Sequence, residues 1–391
     1  MADPLSGDAL IETVRALADD IGPRPAGHEE EEQAREYLRG RLDETAITDV
    51  ETLRFRTTDT WGWLTIPPVI LSAIAGFLPR RGLLWRLLSA LVAAVGAIEL
   101  GRAYTTGSQW LTPLHVKHPG GTILAKIKPG SKVKRRVVLI GHVDSNKHRA
   151  TFSPMLKRAL IPTATASTVA TWMQVVLALL PNWRVVRWVR RAVQLFVVGG
   201  LATLLNDERE GYIDGANDNA SAVACVLGIG TQATQTPLEN TEVWLAFTGS
   251  EETGLQGLEA VLDRYENELR NALFIDYEMV GAGNIHYCTR HSGFTAFSAY
   301  YPDAELERIA AEVARKNADL RVTGRDFIMK EEVDLLWRRG YRGICIAGQG
   351  EDGWLVNWHQ YNDNSSNIHR QPLERAARFG WAMMQAIDGQ A

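Results

Sequence analysis

The sequence predicts an α/β fold: a mostly parallel mixed sheet flanked by helices on both faces, with two hydrophobic helical hairpins inserted into it. Three observations predict it. From Gly121 onward, short apolar runs of strand length alternate with stretches of helical period. Residues able to do chemistry recur at the ends of those apolar runs, where an open parallel sheet holds its ligands. Residues 61–104 and 154–205 break the alternation with long apolar text of their own.

Taken in order, residues 8–20 carry apolar side chains at helical spacing, GPRPAG interrupts them, and residues 29–42 resume the period. Residues 61–104 then read as a hydrophobic hairpin around RRG, and residues 154–205 repeat the arrangement around PNWR. Each run is close to the roughly 20 residues that cross a bilayer. Arg86, Arg187, Arg190 and Arg191 would be costly in lipid. The last three share one helix face with Gln194, leaving the opposite face apolar, which suits a helix lying on a membrane or packed on protein. Two readings follow: membrane contact, or a lid or homo-oligomer interface built from residues 61–104 and 154–205.

The alternating part begins with TILAKIK and RRVVLIGHVDS as strands and residues 219–231 as a helix. TEVWLAFTGS is a strand, 255–269 a helix and ALFIDYEMVG a strand. Residues 303–316 are helical, RGICIAG is a short buried strand, and 372–387 closes the chain as a helix. Residues 1–391 are thus expected to form a single domain carrying the two insertions.

Composition narrows the function classes. Of 391 residues 46% are hydrophobic, enough for a large core, and the 42 basic and 46 acidic side chains are well mixed, so no basic tract points to nucleic acid. Cys225, Cys288 and Cys345 are far apart and show no CxxC spacing, which suits a reducing compartment. The first twenty residues lack a charged start followed by an apolar core, so no secretion signal is expected. A cytoplasmic or membrane-associated location follows.

The chemistry begins at GHVDS. His142 ends the strongest strand, and Asp144, two residues on, shares its side of the chain and is placed to orient the imidazole. GANDNASA opens a helix with Asp218, which would either aim a carboxylate above the sheet or cap the helix through an Asx turn. FTGSEETGLQG ends a strand in Glu251 and Glu252, adjacent acids whose repulsion a metal would relieve while one stayed free as a base. ALFIDYEMVGAG adds Asp276 and Glu278 on one strand face, and NWHQYNDNSSNIHRQ adds His359 in a polar loop. Histidine and carboxylate donors at successive strand ends suit Zn²⁺ better than the all-oxygen cages of Ca²⁺ or Mg²⁺.

The stretches IGPRPAGHEEEEQAREYL, GHVDS, GANDNASA, FTGSEETGLQG, EMVGAG and WHQYNDNSSNI, in this order, resemble the zinc aminopeptidase family that includes bacterial leucyl aminopeptidases, glutamate carboxypeptidases and glutaminyl cyclases. The resemblance covers the chain apart from the two insertions. It implies the family's sandwich fold and two Zn²⁺ ions. His142 would bind one ion, Asp218 would bridge both, and Glu252 would join His359 on the second. Asp144 would orient His142, and Glu251 would be the general base. The remaining ligand is usually an aspartate three residues before a glycine; that register falls on Glu278, with Asp276 the runner-up. The family commonly has a short loop between the histidine and the bridging aspartate, whereas the second insertion separates His142 from Asp218 here.

The implied activity is hydrolysis of peptide bonds by metal-activated water, with an aminopeptidase acting on peptides foremost. A glutaminyl-cyclase-like, single-zinc cyclotransferase is one alternative. A catalytically silent, membrane-associated receptor or scaffold of the same fold is the other. Trp354, Trp358 and Tyr361, close to His359, are candidates for a pocket that takes apolar side chains, and His148 lies near the GHVDS strand end.

Overall fold

In the computed structural model, which describes residues 3–79, 81–105 and 109–390, the apolar runs of the sequence pair into a single eight-stranded mixed sheet. The strands are β1 (Asp49–Thr57), β2 (His118–Ile127), β3 (Arg135–His142), β4 (Thr241–Thr248), β5 (Leu273–Glu278), β6 (Asn284–His291), β7 (Thr323–Phe327) and β8 (Arg342–Gln349), in the order β1-β2-β4-β3-β5-β8-β6-β7. The central strands β4, β3, β5 and β8 run parallel, with His142 opposite Thr248, Ile140 opposite Asp276 and Glu278 opposite Ala347. Their carboxyl ends therefore open on one edge. Antiparallel pairs β1–β2, β2–β4 and β6–β8 extend the sheet on both sides.

The helices are α1 (Gly7–Arg15), α2 (Glu29–Glu44), α3 (Gly62–Phe77), α4 (Gly82–Thr105), α5 (Thr112–His115), α6 (Leu160–Leu179), α7 (Arg184–Asp207), α8 (Ser221–Gln235), α9 (Gln256–Arg264), α10 (Glu266–Leu269), α11 (Ala304–Lys316), α12 (Glu332–Arg338) and α13 (Arg370–Asp388). Because side chains alternate along a strand, each central strand feeds two cores. Val137 and Leu139 pack with α1, α2, α8, α11 and α13 on one face. Val138 and Ile140 pack with α9, α12 and the inner residues of α3 and α4 on the other.

The sequence expectation omitted β1, β6, β7 and α12. Charged residues crowd β1, DVETLRFRT, and β7, TGRDF, because each forms an edge of the sheet with one flank open. The expected helix over 255–269 is divided in two at Tyr265.

Helices α3, α4, α6 and α7 form a four-helix bundle beside the catalytic edge, each packing on two or more of the others. Gly96 lets α4 approach α3, since a Cβ there would stand 2.6 Å from the Pro68 carbonyl. Two polar residues of α7, Arg190 and Gln194, turn inward, while Arg184, Arg187 and Arg191 stay exposed. Gln194 donates to the Ala73 carbonyl at 3.0 Å, and Arg190 reaches the carbonyls of Leu177 and Leu180 that end α6. Val186, Val193 and Val197 are buried, but other apolar side chains face outward: Leu195 is 73% exposed and Val185 73%. Large apolar groups so exposed are unusual on a helix in water.

Candidate metal centre

His142, Glu251, Glu252 and Glu278 stand where parallel strands end, because there the backbone leaves the sheet and the side chain is freed from the core; Asp218 and His359 reach the same edge from a turn and a loop. His142 is the last residue of β3, and its imidazole is fully buried. Its Nδ1 lies 3.0 Å from the Asp144 carbonyl. A carbonyl only accepts, so Nδ1 carries the proton and Nε2 turns its lone pair to the cavity. There Nε2 faces Asp218 Oδ1 at 3.3 Å, Glu278 Oε1 at 3.6 Å and Glu251 Oε2 at 4.0 Å, yet makes no hydrogen bond among the described residues.

The Asp144 carboxylate lies beside the same imidazole and holds a second segment as well. It stands 3.6 Å from His142 Nδ1 and accepts the main-chain N–H groups of Glu251 and Glu252, each at 3.1 Å. Asp144 thereby fixes the two-glutamate loop to the strand of His142. Close packing fixes the same loop from below: a Cβ on Gly257 would stand 2.2 Å from the Gly249 carbonyl.

Asp218 lies in the turn Ala216–Ala220 just before α8, with its N–H bonded to Asp363 at 3.0 Å. Its side chain does not cap the helix. Oδ1 faces His142 Nε2 at 3.3 Å, and Oδ2 faces His359 Nε2 at 3.3 Å. His359 Nε2 also meets Glu252 Oε1 at 3.1 Å, and Asn146 donates to the other Glu252 oxygen at 2.7 Å. His142, Asp218 and Glu278 thus make one cluster of metal-ligand geometry, and Asp218, Glu252 and His359 make a second.

Glu278 ends β5 and accepts from Asn219 Nδ2 at 2.7 Å. Asp276, its runner-up, lies two residues deeper on the same strand face, in a separate group with Glu331 and Cys345. Burial, then the neighbouring Glu332 and Glu331 carboxylates, push Asp276 well above the usual carboxylate range.

Charge runs one way through the cavity. Burial raises Glu278 to about 8 despite the nearby His142, and burial followed by Glu252 and Glu278 raises Glu251. Burial opposes the charge on His359, but Glu252 and Asp218 outweigh it and lift the group to about 9. Four carboxyl groups face two imidazoles, and the upward push on Glu278 and Glu251 reflects how strongly so many buried acids call for a proton or a cation between them. Such a site favours cations, and its mixed nitrogen and oxygen donors fit zinc.

Several contributors lay outside the sequence expectation. Arg24, from the GPRPAG turn, is fully buried and donates to the carbonyls of Val143, Asp214 and Gly215, locking the end of β3 to the turn that carries Asp218. Asn219 and Asp363 lie inside quoted motifs, so their positions were visible although their partners were not. Arg149 and Lys330 line the cleft with Trp61, Phe152, Phe294 and Trp358, and no local pattern marks either cation. Trp354 packs on Trp358, whereas Tyr361 stacks on His148 at 4.2 Å, outside both clusters.

Residues 122–384 match Peptidase family M28. The chain belongs to that family. This M28 chain is accordingly a peptidase, and its match runs from β2 into α13 across the whole candidate centre. Its fold is similar to that of a zinc aminopeptidase from Bacillus subtilis, with a TM-score of 0.59, 14% identity, and coverage of 99% of this chain and 96% of that one. A glutaminyl cyclase from Bacteroides thetaiotaomicron gives 0.58 at 15% identity, covering 97% of each chain. A Zn-dependent exopeptidase from Parabacteroides distasonis gives 0.57 at 14% identity, covering 96% of this chain and 97% of that one. At such identities the likeness is one of fold. A comparison with curated protein sequences gave no match.

Proposed function

We propose that this M28 peptidase is a two-zinc aminopeptidase, with His142, Asp218 and Glu278 holding one ion and Asp218, Glu252 and His359 the other. The observation that carries the reading is Asp218: its two oxygens each stand 3.3 Å from a different histidine, the placement of a bridging carboxylate. When bound, zinc supplies the Lewis acid that polarises a peptide carbonyl and acidifies water. Glu251 belongs to neither triad just named, although it also stands in a group with His142 and Glu252, and it faces the same cavity; we assign it as the general base, which takes a proton from water as the oxygen attacks and then delivers that proton to the departing amine. Asp144 keeps Glu251 at its station through the backbone. The cleft is small, about 40 Å³, and walled by the bundle residues Trp61 and Leu64, which suits the end of a peptide rather than its middle.

Glu251→Gln tests the assignment. The variant should retain two zinc ions per chain by elemental analysis and lose roughly 10²–10⁴-fold in turnover of aminoacyl peptides. Full activity in it would refute the role. Release of ammonia from N-terminal glutamine without release of any amino acid would replace the aminopeptidase reading by a cyclotransferase.

We infer also that the bundle is seated in a lipid bilayer. Three of its helices, Gly82–Thr105, Lys157–Leu179 and Arg184–Asp207, are long and apolar enough to cross one, and only 11% of the most apolar stretch of the third is buried. Trp85, Trp183 and Trp188 stand exposed at the hairpin tips, with Trp63 and Trp110 exposed at the opposite end. Tryptophan collects at both membrane interfaces in this way.

A further inference from the structure

Beside the catalytic cleft lies a second, partly open cavity of about 210 Å³, flanked by the bundle and walled mainly by apolar groups, among them Val69, Ala164, Val197 and Leu204. Trp61, Phe152 and Phe294 line both spaces, so the two are neighbours through one layer of aromatic rings. That layer is thin: the Phe152 ring centre is 4.6 Å from the imidazole of His359 and 6.2 Å from the ring of Phe294. At its other end the cavity reaches the gap between α6 and α7, where the lining residues Thr163, Phe196 and Thr203 are exposed on the face that the bundle turns outward. Gly200 lines it on α7, and a Cβ there would meet nothing within 4 Å. An apolar cavity of about 150 Å³ already takes benzene, so this one has room for a longer hydrocarbon.

We propose that this cavity holds a linear alkyl chain of the substrate, so that the enzyme cleaves peptides whose residue at the scissile bond carries a long aliphatic group, admitted sideways between α6 and α7. The proposal rests on the peptidase reading. The reaction is unchanged by it: water adds across the amide, its oxygen to the acyl carbon and its proton to the leaving amine. An alkyl chain is favoured as the occupant because the lining is almost wholly apolar and joins Phe152 at the cleft to Gly200 and Thr203 on α7, beside the outward apolar face. Continuity with the outward apolar face of α7 supplies the route, since a chain already dissolved in lipid need not cross water to enter.

The full-length protein, kept at one detergent concentration, is assayed on the p-nitroanilides of L-amino acids whose linear side chains run from one to ten carbons. Referred to substrate free in water, kcat/KM should rise roughly fourfold per methylene and level off once the cavity is filled. In Gly200→Leu and, from the facing helix, Ala164→Phe, the rise should stop several carbons earlier while the alanine substrate is turned over as before. Binding is read separately by the fluorescence of dansyl-undecanoic acid, which should weaken at least tenfold in both variants. Turnover of alanine with no rise along the series, or unchanged dansyl binding in both variants, overturns the alkyl-chain site and leaves the peptidase reading intact. Dansyl binding that weakens as expected, in a protein that cleaves none of the series, supports the cavity and sinks the aminopeptidase reading instead.

Discussion

Asn219 shows how much a site owes to side chains that touch no reacting atom. Its amide donates to Glu278 at 2.7 Å and to the Tyr277 carbonyl at 3.0 Å, and its oxygen accepts from Met279 N at 3.0 Å, so one side chain pins the end of β5 from three directions. Glu278 is longer by a methylene than the aspartate its family register leads one to expect, and that added freedom makes the restraint matter more. Groups that hold metal ligands from behind are worth about 10–100-fold in affinity. Asn219→Ala should therefore lose one zinc ion to a competing chelator at about 10–100-fold lower chelator concentration, with the second ion held nearly as before. Equal retention of both ions would show that Glu278 is fixed without it. Residues of this kind explain what the sequence could disclose at the finest scale. His142, Asp218, Glu251, Glu252 and His359 could be singled out because their types and their places in short motifs are local properties. The partners of Asn219 are 58 to 60 residues away, and only the folded sheet brings them together.

At the scale of elements, the loop after β4 is positioned by backbone contact as much as by hydrogen bonds. Gly257, in the first turn of α9, sits against Gly249, with the Gly249 carbonyl 2.2 Å and the Thr122 hydroxyl 2.7 Å from where a Cβ would be. Both neighbours are in the interior, and the nearest atom is backbone, so Gly257→Ala must displace the segment that leads into Glu251 and Glu252. Overpacking of this sort costs about 1–3 kcal/mol. The variant should melt measurably lower and lose most of its turnover, whereas Gly40→Ala on α2, where nothing lies within 4 Å, should do neither. The comparison is read by calorimetry and by kcat. The central strands and their helices were legible because buried parallel strands are continuous apolar runs; the edges β1 and β7 were not, because an edge strand needs polar residues on its open flank and so resembles a loop. The turn holding Asp218 was likewise read as the start of a helix, since GANDNASA contains good helix-capping residues, but regular helix begins only at Ser221.

The whole molecule joins two surfaces with opposite preferences. The catalytic domain buries its apolar strands on both faces of the sheet, as a domain in water does, while the bundle leaves Leu83, Leu84, Leu91 and Leu195 between 62% and 76% exposed. Exposed apolar area on that scale is stable only when something covers it. The sequence left the choice between lipid and a protein partner open, because an apolar helix face reads alike for both; the inward turn of Arg190 and Gln194 onto carbonyls of α6 and α3 is information that only packing supplies. In lipid that arrangement satisfies the polar groups inside the bundle and leaves hydrocarbon outside. Purified without detergent, the protein should therefore aggregate, and with liposomes it should float on a density gradient and resist extraction by high salt or alkali. Replacing Leu83, Leu91 and Leu195 together by Gln should shift it to the soluble fraction, while turnover of an alanine anilide stays within about twofold, because none of the three lines the catalytic cleft. Should the unmodified protein instead run as a defined dimer without detergent and fail to float, the bundle would be an interface between copies of the chain, and the lateral route for an alkyl chain would be lost with the bilayer.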